Sequence, residues 1–182
     1  MRKILSLLLA VTMVVSLTAC GQKPEKAVDE FLKNCQKGKL LSYYQTYDQD
    51  EQSEELIKLI LSKMTYKIED TNQISDNEAQ VTVKITSIDM RTAMIDIITE
   101  YMNWSMNQML SGNYYAQEQN DNKLMELFNK AIENNKDKTV TFTINVKVIK
   151  NSSGKWEVNV EDTLVDALTG GLYSSMQDIA NY

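Results

Sequence analysis

Histidine is missing from all 182 residues of the chain. Its absence removes Ser–His and Cys–His nucleophile pairs, imidazole acid–base chemistry and the commonest zinc ligand together. There is no glycine-rich phosphate loop of the form G-x-x-x-x-G-K-[ST] and no EF-hand spacing. Asp48, Asp50 and Glu51 lie close together but fix too few oxygen ligands for calcium, so they read as a solvated turn. Proline occurs once and cysteine twice. Scarce proline and arginine beside plentiful lysine, asparagine, isoleucine and tyrosine suggest an AT-rich genome. No pattern in the chain calls for a bound cofactor.

Long apolar runs are also lacking, with one exception. Arg2 and Lys3 precede an apolar run from Ile4 to Leu17 that is broken only by Ser6, Thr12 and Ser16. That run is short for a bilayer span and is followed by small residues, the pattern of a secretory signal. Leu17-Thr18-Ala19-Cys20 resembles the lipobox of bacterial lipoproteins, in which a diacylglycerol is joined to the cysteine sulfur and the chain is cut just before it. The resemblance implies a signal peptide over 1–19, a lipidated tether over 20–23 and one domain over 24–182. It also implies a cell-membrane location on the extracytoplasmic side, with Cys20 as the lipidation site. Two acyl chains hold a protein stably where one is marginal.

The segment 1–19 contains two of the 19 basic residues and none of the 25 acidic ones, so the remainder balances 17 against 25, or −8. An acidic chain with one remaining arginine, Arg91, lacks the footprint of a nucleic-acid binder. Anionic headgroups would repel it, so the membrane contact falls to lipid on Cys20. With Cys20 lipidated, Cys35 has no partner, and its place on the face of Val28, Phe31 and Leu32 marks a small buried hydrophobe.

The periodicity sets out an α+β order. Ala27, Val28, Phe31, Leu32 and Cys35 follow Pro24 at helical spacing, and Gly38 sits where a cap belongs. A short helix is expected over Leu40–Tyr47, and another from about Glu51 to Met64. Tyr66 and Ile68, then Val81, Val83 and Ile85, alternate as two strands around a polar loop at 70–78. Two helices fill about 89–135, broken near Ser111-Gly112-Asn113. The first is expected to turn Met94, Ile97, Ile98, Tyr101, Met102, Met106 and Met109 to one apolar face. Val140 to Val148 and Trp156 to Val160 form a hairpin around Asn151-Ser152-Ser153-Gly154. Asp162 is placed to cap a last helix, in which Gly170-Gly171 marks a break or a close backbone approach.

Three segments carry a family resemblance. They are Pro24 to Leu32 with Lys37-Gly38, Gly154-Lys155-Trp156-Glu157-Val158, and Ala167-Leu168-Thr169-Gly170-Gly171-Leu172. They resemble Gram-positive lipoproteins with a nuclear-transport-factor-2-like domain. The resemblance implies N-terminal helices packed in a curved, mostly antiparallel, cone-like sheet, with a C-terminal helix. The stretch at about 90–135 exceeds what a simple cone needs and is expected to form an inserted helical hairpin.

Three functions follow as expectations. The first is a non-enzymatic module that binds a protein partner or small ligand through the cone mouth or the extra hairpin. The second is an enzyme: some members of the superfamily use an acid and a tyrosine inside the cone, and Tyr43, Tyr44, Tyr47 and Asp48 are the residues of those types available. The third is a Cu(I) site at Met102, Met106 and Met109, whose thioethers share a helical face. The same methionines suit an adaptable contact surface.

Overall fold

The computed structural model describes residues 23–38, 51–112 and 117–180. Helix α1 spans Pro24–Gln36 and α2 spans Glu51–Lys63. Strands β1 (Thr65–Ser75) and β2 (Glu78–Ile88) follow, then helices α3 (Met90–Leu110) and α4 (Gln117–Asn135). Strands β3 (Thr139–Lys150) and β4 (Trp156–Val158) precede α5 (Asp162–Leu168) and α6 (Leu172–Ala180). The class is α+β, with a four-stranded antiparallel curved sheet in the order β1-β2-β3-β4. The short helix expected over Leu40–Tyr47 lies outside the described residues.

Pro24 opens α1, where its missing N–H costs nothing, and Lys23 before it is extended. Gly38 ends the turn at φ 66°, and a Cβ there would meet Lys58 Cγ at 2.8 Å. Val28, Phe31, Leu32 and Cys35 are buried on one side of α1, which packs against all four strands. Gln36 Nε2 donates to the Met64 carbonyl at 2.8 Å, so the C-terminal end of α1 sits where β1 begins. The N-terminal half of α1 is therefore the part that runs towards β4.

Residues of β2 and β3 face one another as the alternation requires. Val81 pairs Val146, Val83 pairs Ile144 and Ile85 pairs Phe142 on the inner face. Thr82 and Thr86 meet Asn145 and Thr141 at 2.9 Å on the outer face. The segment expected as a polar loop at 70–78 is mostly strand: β1 continues to Ser75, and only Asp76 and Asn77 make the turn. Its outer part is exposed on both faces, so no apolar alternation advertises it, and backbone pairing with Ala79 and Gln80 holds it. Irregular register after Ile68 and Gln73 bends this edge. The second hairpin turns at Asn151 as expected, its Oδ1 accepting from the Ser153 and Lys155 amides. β4 is shorter than the alternation implied, and Val160 is buried outside it.

The last helix is two helices. Asp162 stands in the first turn of α5 rather than at the cap, which is Glu161 without a side-chain capping bond. Gly170 and Gly171 have φ of 62° and 85°, which breaks the helix. They are also a close approach: the Gly170 carbonyl accepts from the Met90 amide at 3.0 Å, and a Cβ on Gly170 would lie 1.8 Å from the Ile88 carbonyl oxygen. Ser87 Oγ donates to the Ala167 carbonyl at 2.9 Å in the same corner. This corner fixes where β2 passes into α3.

Candidate interaction surface

Helix α3 begins firmly. Asp89 caps it, accepting from the Thr92 amide at 3.2 Å and the Thr92 hydroxyl at 2.7 Å. The Asp89 amide donates to the Lys138 carbonyl at 2.9 Å, so the start of α3 is tied to the connection between α4 and β3. Met90, Ala93, Met94 and Ile97 are buried, a set spaced three, four and seven apart. Beyond Ile97 no residue of α3 is fully buried. Tyr101 and Trp104 pack with their rings tilted by 37° and 5.6 Å between centroids, and Glu100 pairs with Lys130 of α4 at 2.7 Å. Helix α4 has a broader inward face, with Met125, Leu127, Phe128, Ala131 and Ile132 buried.

The outward side of α3 carries an apolar stripe. Ile95, Met102, Met106, Met109 and Leu110 are each between 59% and 80% exposed. Their separations of seven, four, three and one put them on one stripe, about 22 Å long at the helical rise. From Tyr101 to Gly112 the chain carries no charged residue, in a protein whose charged fraction is 24%. From Met102 onwards the stripe thus combines large apolar side chains with an absence of charge.

The expected common apolar face of α3 needs correcting at this point. Met94 and Ile97 turn inward and Ile98 and Tyr101 are partly buried, but Met102, Met106 and Met109 point to solvent. Apolar residues cover more of the circumference of this helix than one face can bury, so periodicity alone could not assign the direction. Among the described residues there is no group of three or more His, Cys, Asp or Glu side chains arranged to hold a metal.

A cleft of about 550 Å³ opens between α2 and α4. Leu56, Leu59 and Met125 line it with Glu55, Asn122, Glu126 and Asn129. Lys123 neutralises Glu126 at 2.6 Å. It is an amphipathic groove.

Tyr43, Tyr44, Tyr47 and Asp48 lie outside the described residues, as does Cys20. A different tyrosine–carboxylate pair is in view. The Tyr66 hydroxyl donates to Asp29 Oδ1 at 2.7 Å, and Lys33 Nζ donates to Asp29 Oδ2 at 2.7 Å. Burial raises the Asp29 pKa, but the hydrogen bonds from Lys33 and Tyr66 outweigh it and hold the carboxyl below its ordinary value. Burial, then the bond to Asp29 and its charge, push the Tyr66 phenol up. The shifts drive both groups away from neutral pH, the opposite of what proton transfer needs. Burial likewise raises the Cys35 thiol, which is inert and packs as a hydrophobe. The Asp29–Lys33 pair was readable as an i, i+4 spacing, whereas Tyr66 joins it only through the tertiary packing of β1 on α1.

These features define an α+β domain with a curved antiparallel sheet and a long α3–α4 hairpin whose outer stripe remains uncovered. The chain belongs to the family described as a domain of unknown function (DUF5105), which matches residues 18–173. No curated protein and no solved structure matches it.

Proposed function

We propose that this protein is a membrane-anchored extracytoplasmic lipoprotein that acts without catalysis, as an interaction module, through the outer stripe of α3. The observation that carries the reading is the apolar stripe from Ile95 to Leu110, free of charge from Tyr101 onwards and left out of the protein's own core. Exposed apolar patches of this kind mark contact sites on folded proteins. Methionine suits such a surface because its flexible thioether adapts to a partner.

Anchoring rests on the charged start, apolar run and Leu17-Thr18-Ala19-Cys20 box, and the family match opening at residue 18 is consistent with a shared domain that begins near Cys20. No helix among the described residues is long and apolar enough to cross a membrane. On this reading the tether enters at Lys23, and α1 then leads towards the sheet end where α3 starts. The hairpin would stand away from the anchored end. A nuclear-transport-factor-2-like ancestry, in Gram-positive lipoproteins, accounts for a curved sheet packed on an N-terminal helix.

A photo-crosslinking residue at position 106 of the full chain, expressed in a bacterium, tests the reading. Adducts are expected from position 106 and not from Lys84 on the polar sheet face. Absence of any adduct at 106 would remove the basis for the module. The Cu(I) alternative uses the same three methionines, so Cu(I) titration under reducing conditions separates them. Tight stoichiometric binding lost in Met102→Leu/Met106→Leu would favour the metal.

A further inference from the structure

We infer that the α3 stripe is covered by the same stripe of a second copy of this chain, in a two-fold pair of antiparallel α3 helices. The inference rests on the interaction reading above and names the partner.

Area is the first argument. The five exposed side chains present an apolar patch on the order of 600 Å², at the upper end of what a monomer ordinarily leaves uncovered. Two such patches face to face would bury at most about 1,200 Å² in total, the lower bound for a specific interface. The pair is therefore expected to be weak and reversible in solution. Tethering both copies to one membrane would raise their local concentration and fill the dimer.

Charge is the second argument. Each copy carries −8 beyond the signal segment, so two copies repel wherever their charged surfaces meet. The segment from Tyr101 to Gly112 has no charge and lets two like-charged molecules approach. A heterologous partner of opposite charge would instead be matched by carboxylates along the stripe, and beyond Glu100 α3 has none.

Self-complementarity is the third argument. A two-fold interface requires residue i to meet j while j meets i. An axis passing between Met102 and Met106 sets Met102 of each copy against Met106 of the other. Met109 then faces Thr99 and Leu110 faces Ile98 of the other copy, with Ile95 at the margin of the contact. Flexible methionines occupy the centre and branched side chains lie towards the ends, and the one hydroxyl between them, that of Thr99, already donates to the Ile95 carbonyl at 2.8 Å.

Sedimentation equilibrium on residues 21–182 tests this, since the described core is built entirely from Pro24 onwards. The expected result is a concentration-dependent monomer–dimer equilibrium. Met102→Glu with Met106→Glu should weaken it at least about tenfold, the loss of 1.4 kcal/mol or more, with an unchanged circular dichroism melt. Lys84→Glu should leave it unchanged. A monomer at every concentration would overturn the pairing, and so would a dimer that persists in the double variant. The position-106 crosslinker separates this from the broader reading. An adduct of twice the chain mass supports self-pairing, an adduct with a different protein overturns self-pairing alone, and no adduct overturns both.

Discussion

At the scale of single residues, one glycine and one tyrosine–carboxylate pair hold disproportionate responsibility. Gly170 lies at φ 62° with the Ile88 carbonyl in the space a Cβ would take. Gly170→Ala would force the left-handed region, which costs about 1–2 kcal/mol for an L-residue, and displace the β2–α3 corner as well. Its urea midpoint is expected to fall by more than the conformational term alone accounts for. Tyr66 and Asp29 give a pH signature instead. Asp29 has a depressed folded pKa, so its stabilisation is present above the unfolded value near 4 and is lost as pH falls through the lower folded value. Tyr66 has a raised pKa, so its contribution is complete below about pH 10 and is lost on further titration. Asp29→Asn should flatten the acid limb of a stability–pH profile measured by urea unfolding. Tyr66→Phe should flatten the alkaline limb and cost about 1 kcal/mol at neutral pH.

At the scale of elements, α3 divides in two. Its first two turns anchor it to the core, with Met90, Ala93, Met94 and Ile97 buried, whereas its distal half holds all of the exposed stripe but Ile95. The same residue type should therefore respond in opposite ways along one helix. Met94→Ala leaves a cavity and should destabilise by about 2–5 kcal/mol. Met102→Glu should change stability by no more than about 0.5 kcal/mol while impairing association. Thermal or chemical unfolding of the two variants side by side checks the division directly. If Met102→Glu proved as costly as Met94→Ala, the distal half of α3 would have to be packed, and the surface argument would fail.

At the scale of the whole molecule, anchoring and association belong together. A weak two-fold contact does little for a dilute soluble chain but much for copies confined to one membrane. Cys20→Ser is expected to move the protein from the membrane fraction of the expressing cells to the soluble or secreted fraction. The same substitution should reduce the position-106 adduct, because the local concentration falls. Retention of Cys20→Ser in the membrane fraction would point to a different attachment.

Much of this architecture is written locally. Period 3.6 in α1, period 2 in β2 and β3, Pro24 at a helix start and Gly38 at its end each depend on neighbours in the chain. They were therefore legible, as were the outer limits of the α3–α4 hairpin and the break after Leu110, though not where α4 begins. The outer half of β1 was not, because it is held by backbone pairing to β2 while both faces meet solvent. The phase of α3 was not legible either. Its apolar residues surround the helix, and only the packing of Met90, Met94 and Ile97 against the core decides that Met102, Met106 and Met109 turn outward. The glycine pair announced a break or a close approach, and only the fold brings the Ile88 carbonyl against Gly170 so that it is both. Sequence determined the elements because their periods are local properties of the chain. Tertiary structure decided which apolar face stayed uncovered, because burial depends on what the rest of the molecule has room to cover.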